Sequence, residues 1–386
     1  MSRKHKMFWK IIRPCIAWPL AKLKFGYTYD VPKNLPENYL VLSNHVTDFD
    51  PILVGLSFPR QMYFVGSEHI SRWIFFYKLI RFIFAPIMRY KGSVASQTVL
   101  EVLRKTRSGE NVCIFAEGTR SWDGLTNPIL PSTGKMAKKA GCALVTYKLT
   151  GGYFVSPNWA EGGTRRGPLY GGVVNIYTKE QLANMSADEV NEAICRDLYE
   201  DAYARQKADP KPYKGKQLAV KMENLLYFCP LCGKMETLSS QKDRVSCSAC
   251  GGSFTYDQFG MLHGLDYDTL TEAARWQRQK MAERVAQNVP ITAPDVTVRT
   301  VENHVETELP GGEVTMDRQA IAWGETRIAL ESISEMAMHG RHALVFTVGK
   351  VYYELLIPSG SNTLKFLHFY EECKNVNKIP AEKSVI

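Results

Sequence analysis

Two cysteine pairs, Cys229-Pro-Leu-Cys232 and Cys247-Ser-Ala-Cys250, constrain this chain most, because each is a tight turn followed at once by glycine, Gly233 and Gly251. Thiolates at that spacing present four soft ligands to one tetrahedral ion, so residues 222–262 read as a small ribbon held by structural zinc. Four thiolates leave no open position for a substrate. Disulfides or redox dithiols are the alternative use of two such pairs. The flanking charges, Lys234, Lys242 and Arg244 against Glu236 and Asp243, make no basic stripe, so no nucleic acid is expected as a partner.

The ribbon divides a chain of 386 residues, longer than one core usually serves. Before it, from about residue 37 to 180, the runs YLVLSN, QMYFVGS, NVCIFAEG and ALVTYKLTGG read as strands, and VASQTVLEVLRKTRSGE and GKMAKKAG as helices. This alternation predicts an α/β domain with a largely parallel sheet over 31–207, with its chemistry at the strand C-terminal ends. The stretch ADPKPYKGK opens a linker, 208–221. After the ribbon, 263–290 reads as one polar bridging helix. The runs EVTMD, AIAWG, RIALESISEMAM, HALVFTV and KVYYELLI then predict a mostly antiparallel β module over 291–386. A helix with Phe366, Phe369, Tyr370 and Cys373 on one face closes it, and the order of elements resembles a pleckstrin-homology-like module.

The net charge of +9 is unevenly placed: Arg3, Lys4, Lys6, Lys10, Arg13, Lys22 and Lys24 all precede the first acidic residue, Asp30. Met7, Phe8, Trp9, Ile11, Ile12, Ile16, Trp18, Leu20 and Phe25 lie among them, so residues 1–30 suit an anionic membrane surface. Pro14 and Pro19 interrupt the segment, which fits neither a signal peptide nor a span of about 20 apolar residues. A helix packed on the protein's own core is the alternative. RWIFFYKLIRFIFAPIM, residues 72–88, is a second apolar stretch, with Lys78 and Arg81 placed to snorkel. Together with unpaired thiols, which fit a reducing compartment, these segments predict peripheral or monotopic attachment at the cytosolic face of a membrane.

Candidate chemistry begins at SNHVTDFDP, residues 43–51. On a regular helix His45 and Asp50 would point about 140° apart, and on a strand to opposite faces, so they meet only if the chain turns between them. Asp50 precedes Pro51 and reads as a helix N-cap, with His45 at a strand end facing the helix start. Asp48 competes as the histidine's partner. Downstream, IFAEGTRS offers Gly118 for close backbone approach, Arg120 as a planar fork for phosphate, and Glu117 to bond a hydroxyl or orient the arginine. A solvated turn with a salt bridge is the alternative there.

NHVTDFD followed by FAEGTRS resembles the first and third signature blocks of the glycerolipid acyltransferase family, the bacterial 1-acylglycerol-3-phosphate acyltransferases, and FAPIMRYKG supplies Arg89 in the interval between them. The resemblance covers roughly residues 1–200, with departures at Met88, Ala116 and Thr146. It implies His45 as general base with Asp50 as its orienter and Glu117 beside them. It also implies Arg89 and Arg120 on the acceptor's phosphate, with Glu117, Gly118 and Thr119 shaping that site, and Lys135 is a further candidate ligand for the same anion. Asn44 is either a positioning group or a turn residue. The implied co-substrate is an acyl-CoA or acyl carrier protein thioester. The implied acceptor is 1-acylglycerol 3-phosphate at a membrane phospholipid surface, giving phosphatidic acid in phospholipid biosynthesis. Glycerol 3-phosphate or another lysophospholipid as acceptor, and a non-catalytic lipid-binding adaptor, are the alternatives.

Overall fold

Tyr39–Ser43 is apolar almost throughout and becomes a strand buried along its whole length, as a strand covered on both faces requires. In the computed structural model, which describes residues 9–67, 86–89, 95–302 and 305–378, this strand lies inside a seven-stranded sheet. Its members are β1 (Tyr27–Tyr29), β2 (Tyr39–Ser43), β3 (Tyr63–Ser67), β4 (Ile87–Arg89), β5 (Val112–Phe115), β6 (Ala143–Thr150) and β7 (Leu169–Tyr177), in the order β1-β7-β6-β2-β5-β3-β4. All neighbours run parallel except β6 and β7. The largely parallel α/β sheet is therefore present, with β1, β4 and β7 added to the strands legible in the sequence. Helices Ala95–Arg107, Ser132–Lys139 and Ala187–Leu198 pack Val102, Met136, Ala137 and Ile194 against Leu40 and Val112 of the sheet. β2 and β5 lie side by side, so the loops after Ser43 and Phe115 emerge together, and both signature blocks sit on those loops.

The chain forms two compact units. One comprises the described residues through Asn158 with Gly163–Gly215 and Gln258–Gly260; the other comprises Trp159–Gly162, Lys216–Asp257 and the described residues from Met261 onward. The boundary between the two units falls within residues 208–221, between Gly215 and Lys216. Tyr213 is buried in the first unit, where its ring packs on Phe154 with centroids 5.0 Å apart, and Ala219 is fully buried in the second.

At the start of the described chain the reading of a segment packed on the protein's own core holds in part. Trp9, Ala21 and Phe25 are buried, and Arg13 donates to the Phe58 carbonyl at 2.8 Å. Ile11, Leu20 and Leu23 are instead 60%, 59% and 71% exposed. Residues 1–8 and most of the 72–88 stretch lie outside the described residues. No described helix is long and apolar enough to cross a membrane.

In the second unit, β8 (Leu238–Gln241), β9 (Arg244–Cys247), β10 (Ser253–Tyr256) and β11 (Leu262–His263) make the small antiparallel ribbon sheet. Helix Leu270–Ala286 starts at a capping box of Thr269 with Glu272. It is not merely a polar bridge: Leu270, Ala273, Gln277, Met281 and Val285 are buried, and the Gln277 side chain accepts from the amides of Tyr227 and Phe228 and donates to the Leu225 carbonyl. The last sheet is antiparallel throughout. It contains β12 (Ile291–Glu302), β13 (Val305–Met316), β14 (Ala320–Trp323), β15 (Thr326–Ala329), β16 (Ile333–His339), β17 (Ala343–Val348) and β18 (Val351–Leu356), in the order β15-β14-β13-β12-β18-β17-β16. Helix Leu364–Lys378 closes it, burying Phe366, Phe369, Tyr370 and Cys373.

One ion pair ties ribbon to module within this unit. Lys365 is fully buried at the start of the closing helix, and its Nζ lies 2.5 Å from Glu236 Oε1 of the ribbon and 2.5 Å from the Thr292 carbonyl. The same Glu236 oxygen accepts from Ser361 Oγ and the Asn362 amide. A charge removed so completely from water is tolerated only with such partners.

Candidate active site

β2 ends at Ser43, and the next residues turn because two side chains, buried Asn44 and half-buried Glu117, hold them. The Asn44 amide donates to the Leu149 carbonyl and accepts from the Leu149 N–H, both at 2.8 Å, a two-point clamp onto β6. From β5, Glu117 accepts from the His45 N–H at 2.7 Å and the Asn127 N–H at 2.6 Å. Between these anchors the His45 ring stacks on Phe115, centroids 4.5 Å apart. Gly152 permits the close packing behind the turn, since a Cβ there would fall 2.4 Å from Val46 Cγ2.

His45 Nδ1 lies 2.8 Å from Asp50 Oδ2. Asp50 is fully buried and also accepts from the Val46 N–H at 2.7 Å, the Thr47 N–H at 3.0 Å and Thr47 Oγ1 at 2.6 Å. The carboxylate thus accepts from four donors. An ionised carboxylate only accepts, so Nδ1 carries the hydrogen and Nε2 bears the lone pair. The expected N-cap role is corrected here. Asp50 is the first residue of helix Asp50–Ser57 with Phe49 at the cap, and its carboxylate turns back to the amides of Val46 and Thr47 instead of forward into the helix. Asp48 does not reach the histidine; it meets Arg120.

Glu117 does not orient Arg120; it braces the His45 turn. Burial pushes its carboxyl up to about 7 from an ordinary value near 4.5, outweighing the two amide donors. The folded state then holds more protons than the unfolded state between those values, so ionising Glu117 costs stability as pH rises through about 4.5 to 7. The cost is on the order of 3 kcal/mol at most. Relative to wild type, Glu117→Gln should therefore gain stability between pH 5 and pH 8. Urea midpoints at the two pH values check this, and an unchanged difference would refute the assignment.

Gly118 adopts φ +73°, a backbone state that other side chains rarely take, and it and Thr119 are exposed. Arg120 is instead only 7% exposed: Nη1 lies 2.9 Å from Asp48 Oδ2, Nε donates to the Val46 carbonyl at 3.3 Å, and Nη2 donates to the Ser156 carbonyl. The fork expected to be open is closed by the chain's own groups. Arg89 ends β4, and its side chain lies outside the described residues, as does that of Met88. Lys135 is exposed on helix Ser132–Lys139, and among the described residues no contact joins it to the His45 turn. Thr47, Asn127 and Ser156 complete the site unforeseen. Thr47 carried a usable signal, a hydroxyl three residues before an aspartate, whereas Asn127 and Ser156 carried none.

The four cysteines of the ribbon bring their Sγ atoms within 4.8 Å of one another. Cys232 and Cys247 Sγ are 3.8 Å apart, the edge of a tetrahedron with bonds of about 2.3 Å to zinc. Gly233 and Gly251, at φ +72° and +70°, return an N–H to the Cys229 and Cys247 carbonyls. Donor type, spacing and knuckle backbone thus fit one zinc ion held by Cys229, Cys232, Cys247 and Cys250 as a structural tie.

Residues 27–150, which carry the His45–Asp50 pair and the Glu117–Arg120 loop, match the family model described as Acyltransferase. The relatives that the chain resembles over this stretch are glycerolipid acyltransferases. It is 28% identical over 154 residues to the 1-acyl-sn-glycerol-3-phosphate acyltransferase of Borreliella burgdorferi, a match covering 38% of this chain and 60% of that relative. Among solved structures, the 1-acyl-sn-glycerophosphate (LPA) acyltransferase of Thermotoga maritima aligns with 51% of this chain and 80% of its own, at TM-score 0.40 and 19% identity. The N-terminal PH domain of human ARAP2 protein aligns with 26% of this chain and 90% of its own, at TM-score 0.19 and 7% identity.

Proposed function

We propose that this chain transfers a fatty acyl group from an acyl thioester to the free hydroxyl of a 1-acylglycerol 3-phosphate at a membrane surface. The observation that carries this reading is the His45–Asp50 pair, 2.8 Å apart, with the carboxylate saturated and Nε2 left to a substrate. Nε2 takes the proton of the acceptor hydroxyl as its oxygen attacks the thioester carbonyl. Asp50 holds the tautomer and stabilises the imidazolium. The tetrahedral intermediate collapses to the new ester and expels the thiolate, which takes the proton back from Nε2 and leaves as free thiol. The direct test is thiol release by the purified full chain from a long-chain acyl-CoA or acyl carrier protein, with lysophosphatidic acid as acceptor. No release above the donor's background hydrolysis would refute the reading.

Membrane contact is part of the proposal. Ile11, Leu20 and Leu23 face outward beside Lys10, Lys22 and Lys24, and Lys22 lies over the Trp18 ring at 5.0 Å. Apolar side chains flanked by lysines suit the boundary between acyl chains and anionic headgroups. The protein should float with anionic liposomes at low salt, and Leu23→Glu should weaken flotation without unfolding it, since that side chain is 71% exposed. Protein that stays at the bottom of the gradient at low salt would refute this part.

A further inference from the structure

Arg120 and Asp48 form an unequal pair. The guanidinium is 7% exposed and the carboxylate 67%, with 2.9 Å between Nη1 and Oδ2. The buried partner is fixed. Its other bonds go to the uncharged Val46 carbonyl and to the carbonyl and Oγ of Ser156, so Arg120 stays aimed at the same point whether or not Asp48 is there. The exposed partner is held by much less. The hydrogen bonds of the turn beneath it run from Val46 and Thr47 to Asp50 and from the Phe49 N–H to Thr47 Oγ1, so the loop keeps its shape when the Asp48 side chain swings away.

We infer that Asp48 is an exchangeable cover on the acceptor's anion site: the phosphate of the incoming acceptor displaces its carboxylate from Arg120, and product release restores it. This rests on the acyl-transfer reading above and names how its acceptor is admitted. A carboxylate and a phosphate oxygen make the same charge-assisted bond to Nη1. A phosphomonoester near neutral pH brings up to about two negative charges and three acceptor oxygens against the carboxylate's single charge. An ion pair whose carboxylate stands largely in solvent is weak, so displacing Asp48 divides anion affinity by only a small factor, roughly 1.5- to 5-fold. The cover keeps the cation neutralised when no acceptor is bound, and it discriminates against nothing that lacks an anion. A neutral monoacylglycerol has no group to exchange and gains nothing from its removal.

The test uses the full chain and its Asp48→Asn and Asp48→Glu variants. In calorimetric titration with glycerol 3-phosphate, Asp48→Asn should bind roughly 1.5- to 5-fold more tightly than wild type, and Asp48→Glu should restore the wild-type value. In turnover, the KM for lysophosphatidic acid should fall by the same factor in Asp48→Asn, with no matching fall for monoacylglycerol. Equal or weaker glycerol 3-phosphate binding by Asp48→Asn would overturn the exchange. Equal tightening for the neutral acceptor would make Asp48 a support of the loop and overturn it as well. The titration needs no acyl donor. Tighter binding by Asp48→Asn in a protein that never acylates lysophosphatidic acid would reject the acyl-transfer reading and leave the exchange standing.

Discussion

Replacing His45 with alanine should lower kcat for acyl transfer by about 10²- to 10⁴-fold while leaving the fold close to native. The first part follows from the proposed role of Nε2: without the imidazole the acceptor hydroxyl loses its general base, and an alcohol at neutral pH is a poor nucleophile. The second follows from Asp50. Removing the ring deletes one of its donors but leaves Val46 N–H, Thr47 N–H and Thr47 Oγ1 on the buried carboxylate, so no uncompensated charge is created. Asp50→Asn behaves differently. An amide nitrogen cannot accept from these donors, so that variant should lose both activity and stability, by about 1–3 kcal/mol per orphaned donor. Thiol release and thermal melting, measured on both variants, separate the two effects. Wild-type rates in His45→Ala would remove the histidine from the mechanism.

We propose that zinc fills the four-cysteine site, and its removal should be the most damaging change to the second unit. The full chain, purified under reducing conditions, should carry one zinc per chain by elemental analysis. Thiolate zinc sites in small ribbons supply on the order of 10 kcal/mol of binding energy that is also folding energy. Here the loss propagates through Glu236, which lies between the two knuckles and is the carboxylate partner of the fully buried Lys365. Burial already holds the Lys365 ammonium below its ordinary pKa, with Glu236 opposing that shift. When the ribbon loosens, the closing helix keeps a buried cation without its counter-charge, a defect typically costing about 3–5 kcal/mol. Chelation, or Cys232→Ser, should therefore lower the melting temperature of the unit and expose Tyr227, whose hydroxyl lies 2.9 Å from His368 Nδ1 of that helix. Metal content well below one zinc per chain, or a melting curve indifferent to chelation, would argue for disulfides or redox thiols.

What could be read in advance divides by distance along the chain. The strands Tyr39–Ser43, Val112–Phe115 and Ala143–Thr150 announce themselves because a buried strand must be apolar over its own few residues. β1, β4 and β12 did not. The first two have only three residues each, and β12 contains Pro294 and a left-handed Asp295 at a bulge, so local pattern argued against a strand that its two neighbours nonetheless pair. At the site, Asp50 was legible as a partner for His45 but its N-cap role was misread. Helix propensity and Pro51 place the helix start, yet only the folded turn decides which amides the carboxylate meets.

The sequence by itself determined everything that short spacing enforces. The five-residue step from His45 to Asp50 lets the two meet only through a turn, and two CxxC knuckles bring four thiols to one point, because in both cases chain connectivity supplies the proximity. The tertiary structure decided which charges are spent and which are available. Asn44 is clamped to Leu149, 105 residues away; Glu117 braces His45, 72 away; and Arg120 is held by Ser156 and covered by Asp48. Whether a charged side chain is a ligand, a brace or a covered site depends on its burial and on the donors around it, and those come from segments brought together only when the sheet closes.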